Sequence, residues 1–111
     1  METKDLGKTS IGLDANIAAL VAYALLFISG IVIFALEKDN KFVRFHALQS
    51  SIVFGALFVL SIIVSRIPLI NILSPIIGVV TLILWIILMI KAYQGEKFKL
   101  PIAGDIAEQK S

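Results

Sequence analysis

Apolar residues in this chain come in long runs, and the polar residues between them are gathered rather than scattered. Positions 17–36 are 20 consecutive uncharged residues, about 30 Å of helix at ~1.5 Å per residue, which matches the hydrocarbon core of a bilayer. The charged turn Glu37-Lys38-Asp39-Asn40-Lys41 follows, and a second apolar run begins within 42–47 and stops at Arg66. A third run, 67–90, is interrupted by Pro68 and Pro75. Proline lacks a backbone donor and clashes with the preceding turn, so no unbroken helix starts at 67. The third helix is placed from Pro75, tolerated in a first turn, to Ala92. Residues 67–74 then form an apolar connection, either interfacial or re-entrant.

The pattern predicts an all-α integral membrane protein with three transmembrane helices at 17–36, 45–65 and 75–92. It is a single membrane domain over 1–111, with short polar termini (flexible tails 1–13 and 103–111) and a proline-containing apolar connection between helices 2 and 3. Runs of about twenty residues favour helices over barrel strands of ~9–11. Asp14 is the expected N-cap of the first helix, and Gly95 the residue that stops the last. The first run is expected to be retained rather than cleaved. It is longer than a signal-peptide core and ends in Leu36-Glu37-Lys38 instead of a small-x-small site.

Composition agrees. The chain is 59% hydrophobic and 16% charged, with a mean hydropathy of +0.97, whereas soluble domains run nearer ~45–50% apolar. A net charge of +2 gives no reason to expect a nucleic-acid partner. With no cysteine and one histidine, disulfides, thiolate sites and a multi-histidine metal site within one chain are excluded. No metal or cofactor is expected. Three spans would set Lys4, Lys8 and Arg66 on one side. Lys38, Lys41, Arg44, Lys91, Lys97, Lys99 and Lys110 would lie on the other. The basic excess predicts a multi-pass cell-membrane protein with its N-terminus outside and its C-terminus cytoplasmic.

Because lipid solvates leucine as well as protein does, helix association needs close packing and polar contacts. Small residues at helical spacing supply candidate seams: Ala47, Ser51 and Gly55 in the second span, and Ala18, Ala22 and Gly30 in the first. Trp85, deep in the third run, is read as core packing. Tyr93 and Phe98 suit the interfacial aromatic belt.

Two clusters stand out as candidate functional residues. Arg44, His46, Gln49 and Ser50 put charge and hydrogen-bonding groups where a helix enters the membrane, with His46 and Ser50 one turn apart. Arg44 alone is explained by snorkelling to phosphates, but an amide such as Gln49 inside a span needs partners. Tyr93, Gln94, Glu96, Lys97 and Lys99 form a juxtamembrane contact candidate on the same predicted side. No carboxylate pair, phosphate-cradling glycine loop or based nucleophile is legible, so no catalytic residue is assigned.

The stretches Glu37-Lys38-Asp39-Asn40-Lys41-Phe42-Val43-Arg44-Phe45-His46-Ala47-Leu48-Gln49-Ser50 and Ala92-Tyr93-Gln94-Gly95-Glu96-Lys97-Phe98-Lys99-Leu100-Pro101-Ile102 resemble the signatures of a family of small prokaryotic membrane proteins. That family is grouped with the twenty-kilodalton Tic component of the chloroplast inner-envelope import machinery and with the magnetosome membrane protein MamF. The resemblance runs from Asp14 to Ala107. It implies a helical membrane domain and, through the chloroplast relative, a link to protein translocation. That relative has four spans where three are read here, and three helices enclose no aqueous pore. The expected function is a non-enzymatic scaffold or accessory subunit of a membrane complex, with the bilayer and other subunits or further copies as partners. The alternative is an oligomeric channel or transporter component lined by Gln49, Ser50, Ser61 and Thr81.

Overall fold

A computed structural model describes residues 6–111. The remaining residues of the N-terminal tail, Lys4 among them, lie outside the described part. Helices run over Ala15–Ala24 (α1), Phe27–Leu36 (α2), Lys41–Ser65 (α3), Ser74–Tyr93 (α4) and Ala103–Lys110 (α5), with a short 3-10 turn at Ile70–Leu73. Among the described residues there is no strand.

The first apolar run is not one span. It breaks at Leu25-Leu26, where Leu26 takes φ 59°, a conformation a bulky side chain rarely adopts. The chain then doubles back. The Glu37 carboxylate, just past α2, accepts the Ser10 backbone N–H at 2.8 and 2.9 Å. Asn40 Nδ2 donates to the Leu6 carbonyl at 2.9 Å. The start of α1 and the end of α2 are therefore neighbours, and the two helices form an antiparallel hairpin. Each has 10 residues, about 15 Å at ~1.5 Å rise, half of a ~30 Å hydrocarbon core. The expected continuous helix over 17–36 is replaced by this pair of shorter apolar helices.

A turn between two apolar helices leaves backbone groups that need partners. Here three side chains supply them. Ser29 Oγ accepts the Leu25 N–H and donates to the Ala22 carbonyl, each at 2.9 Å. Ser50 Oγ, from α3, donates to the Leu26 carbonyl at 2.8 Å. Trp85 Nε1, from α4, donates to the Tyr23 carbonyl at 2.7 Å.

Helix α3, with 25 residues, and α4, with 20, are each long and apolar enough to cross a membrane. Asn40 caps α3 by accepting the Val43 N–H at 3.1 Å, which starts the helix four residues earlier than the expected 45. Asp14 does occupy the N-cap of α1, but its carboxylate makes no capping bond. Pro75 sits in the first turn of α4, as expected. Gly95, at φ 80°, ends α4 in a Schellman arrangement, with Glu96 N–H on the Lys91 carbonyl and Gly95 N–H on that of Ala92.

One further expectation is corrected: the segment 103–111 is not a loose tail, since α5 packs on α3. The described ends of the chain also lie close together. Asn16 Nδ2 donates to the Tyr93 carbonyl at 3.0 Å, and Arg44 Nε to the Ser111 carbonyl at 3.0 Å. Those bonds and the Leu6–Asn40 bond gather both described ends of the chain at the mouth of the hairpin.

The expected small-residue seam is present. A Cβ on Gly30 would come within 2.8 Å of the Ala47 carbonyl and 2.9 Å of Ser51 Oγ, so glycine is what allows α2 to lie directly on α3.

Candidate functional site

His46, Gln49 and Ser50 project from the first half of α3 and are fully buried. They do not form an open mouth; they are occupied from within the chain. Tyr23, near the end of α1, brings its hydroxyl to 2.7 Å from His46 Nδ1 and 2.9 Å from Gln49 Nε2. His46 Nε2 lies 2.9 Å from the Glu96 carbonyl. Gln49 spans two points of the C-terminal segment, donating to the Phe98 carbonyl at 2.9 Å and accepting the Leu100 N–H at 2.9 Å.

The donor sequence in this network is fixed by elimination. A carbonyl only accepts, so His46 Nε2 carries the proton toward Glu96. Nδ1 of the neutral ring then accepts from the Tyr23 O–H, and the Tyr23 oxygen accepts from Gln49. Each donor has one acceptor, and none is left over among these groups. Aromatic edges close the site: the His46 ring lies 4.6 Å from Phe42, 5.0 Å from Phe45 and 5.4 Å from Tyr23 between centroids. Such a network is rigid when complete, because removing one member strands the others in a low-dielectric setting.

Gly104 shows how closely the C-terminal segment is pressed in. A Cβ there would meet Lys99 Cβ at 2.7 Å and Gln49 Oε1 at 2.9 Å.

Arg44 is also turned inward. It donates to the carbonyls of Glu37 at 2.7 Å and Phe34 at 3.3 Å, and its guanidinium lies 4.2 Å over the Phe34 ring. These are carbonyls at the end of α2, where a cation also complements the helix dipole. Beside it, buried Glu37 accepts the N–H groups of Asp39 and Asn40 as well as that of Ser10. Burial pushes its carboxyl upward, but these bonds and the Ser10 hydroxyl outweigh that and hold it down at about 2.

The juxtamembrane candidates lie at the surface of the same end. Lys91 pairs with Glu96 at 3.1 Å, and Lys97 with Glu108 at 3.5 Å. Lys99 reaches Glu108 at 3.3 Å, which lowers the Glu108 carboxyl. Lys97 also sits 4.9 Å over the Phe45 ring. Tyr93 and Gln94 are exposed. The two clusters meet at one end of the structure through backbone, with the Glu96 carbonyl on His46. Sequence reading missed Tyr23, Ser29 and Glu37. The available signal was a hydroxyl or a charge beside an apolar run, each needing a partner.

Over residues 9–107 the chain matches the family described as the magnetosome magnetite crystal formation protein family. It is similar to a UPF0132 membrane protein of Methanocaldococcus jannaschii, 56% identical over 106 residues covering 96% of each chain. A second UPF0132 membrane protein of that organism is 48% identical over 101 residues, covering 90% of this chain and 72% of the relative. One from Archaeoglobus fulgidus is 48% identical over 95 residues, covering 85% and 92%. No solved structure matches.

Proposed function

Since the chain belongs to the magnetosome magnetite crystal formation protein family and is, with its UPF0132 relatives, a membrane protein, we propose that it is a non-enzymatic scaffold or accessory subunit of a membrane complex. The observation that carries this reading is the clamp on α3. Hairpin, spanning helix and C-terminal segment are locked into one body by the Tyr23–His46–Gln49 network. The buried side chains of Ser29, Glu37, Asn40, His46, Gln49 and Ser50 are all spent on attachments within the chain, which suits a protein that holds a shape. The reading rests on architecture rather than on mineral chemistry: among the described residues no group of three or more His, Cys, Asp or Glu gathers.

Orientation follows from charge. Of the ten Lys and Arg, Lys4 is not described. Eight of the other nine (Lys8, Lys38, Lys41, Arg44, Lys91, Lys97, Lys99 and Lys110) lie at the end that gathers the termini, and Arg66 lies at the far end. That asymmetry supports a reading in which both ends of the chain are cytoplasmic, in a cell-membrane protein with two full spans and a re-entrant hairpin. The contact surface is then the exposed part of that end, Lys38, Tyr93, Gln94, Lys97 and Lys99, rather than the buried Arg44–Ser50 cluster. Protein translocation is the process that the Tic resemblance suggests for the complex.

The oligomeric pore has less support. Of its four lining positions, Gln49 and Ser50 are spent on internal partners, and Thr81 donates to the Ile77 carbonyl of its own helix at 2.8 Å.

Photocrosslinkers placed singly at Lys38, Gln94 and Lys97 in cells test the scaffold reading. Adducts of the same mass from all three positions are expected, identifying one neighbour across one surface. Three positions that capture only lipid would overturn it.

A further inference from the structure

Packing along the membrane axis is lopsided. Every buried residue of α3 except Val64 lies between Val43 and Phe54, and the buried residues of α4 are Leu88 and Ala92. All of these but Val64 lie in the half that holds the hairpin. The hairpin ends where Leu26 meets Ser50 and where the Phe27 ring lies 5.3 Å from that of Phe58. Beyond that depth α3 and α4 continue without a third helix. Their faces there are exposed and apolar, as at Val59, Ile62, Ile63, Ile76, Val79 and Val80. A groove of about 470 Å³ opens beneath the hairpin tip, walled by Leu25, Leu26, Gly78 and Thr81.

From this we infer that the protein is a membrane wedge, and that its partner is a bilayer curved so that the hairpin leaflet is convex. One leaflet accommodates four helices, α1 to α4, and the other accommodates two. With helix diameters of about 10–12 Å, the excess cross-section in the hairpin leaflet is roughly 200 Å². The C-terminal segment, pressed against α3 at the depth of Gln49, widens the same side further. In a flat bilayer lipid must make up the missing area around α3 and α4 in the far leaflet. A membrane bent toward the hairpin side removes that mismatch, because its convex leaflet has more area per molecule. The far groove and apolar faces are then covered by acyl chains. With both termini cytoplasmic, the favoured bend bulges into the cytoplasm. The inference goes beyond the scaffold role and depends on the hairpin topology, not on any partner protein.

The test uses the full chain, which has no native cysteine, in giant vesicles from which nanotubes are pulled. A membrane-impermeant fluorescent maleimide added outside marks Lys38→Cys only in molecules whose hairpin end faces out. It marks Arg66→Cys only in those of the opposite orientation. Both residues are exposed. Since the outer leaflet of a tube is convex, the Lys38→Cys signal should be enriched, with a tube-to-flat density ratio above one. The Arg66→Cys signal should be depleted, with a ratio below one. Equal densities in both populations, or a shift of the same sign in both, would overturn the wedge. The first is also what a second copy seated on the far half would give by restoring symmetry. Failure of the topology itself would register separately, as labelling of Lys8→Cys and Lys38→Cys from opposite faces.

Discussion

Ser10 and Glu37 stand 27 positions apart, yet the Glu37 carboxylate takes the Ser10 N–H on both oxygens and the Ser10 hydroxyl at 2.7 Å. That junction ties the entry of the hairpin to its exit and holds α1 and α2 as an antiparallel pair instead of one continuous helix.

The junction carries a pH dependence. Glu37 is held at about 2, below the ordinary 4.5, so the group binds its proton less readily in the folded state. Its stabilisation is complete above about 4.5 and is lost as pH falls from there through about 2. Glu37→Gln should cost about 2 kcal/mol at neutral pH, the order of a hydrogen bond to a charged group. It should also flatten the thermal-unfolding midpoint of the detergent-solubilised protein between those pH values.

Tyr23 is the hub of the clamp, donating to His46 and accepting from Gln49. Tyr23→Phe strands both partners, each at about 1–3 kcal/mol, and should lower the unfolding midpoint clearly. Tyr93→Phe, at an exposed position, should stay within ~0.5 kcal/mol. Matched thermal unfolding of the two variants is the check.

At the hairpin tip Ser29 serves two backbone groups, whereas exposed Ser65 only donates to Ile62 of its own helix. Ser29→Ala should destabilise by about 1–3 kcal/mol and speed amide exchange at Leu25, while Ser65→Ala leaves both unchanged. Hydrogen exchange by mass spectrometry resolves the difference.

Gly104→Ala should pry the C-terminal segment off α3 at a cost of about 1–3 kcal/mol. Limited proteolysis should then cut within 96–110 while α3 and α4 remain intact. Gly78, where an added Cβ meets nothing within 4 Å, should accept alanine without change.

Much of the fold was legible where a local signal coincided with the final structure. Length and apolarity identified α3 and α4, Pro75 marked the start of α4 and Gly95 its end, and Gly30 and Ala47 marked the seam of α2 on α3. The break at Leu25-Leu26 was not legible, because Ala24-Leu25-Leu26-Phe27-Ile28 contains no glycine or proline and reads as continuous helix. What turns the chain there is supplied from afar, by Ser50 of α3 and Trp85 of α4. One unseen turn thus replaces the continuous helix read over 17–36 by two short antiparallel helices. Likewise Gln49 was recognised as needing partners, but only tertiary structure shows those partners to be backbone groups and Tyr23 of the same chain.

Cysteine accessibility in intact cells tests the re-entrant topology most directly. Lys8→Cys, Lys38→Cys, Arg66→Cys and Lys97→Cys are each probed with a membrane-impermeant maleimide before and after permeabilisation. Labelling of Arg66→Cys from outside, with the other three reached only after permeabilisation, is the predicted result. Labelling of Lys8→Cys from outside while Lys38→Cys stays protected would mean that 17–36 crosses the membrane, and would contradict the hairpin.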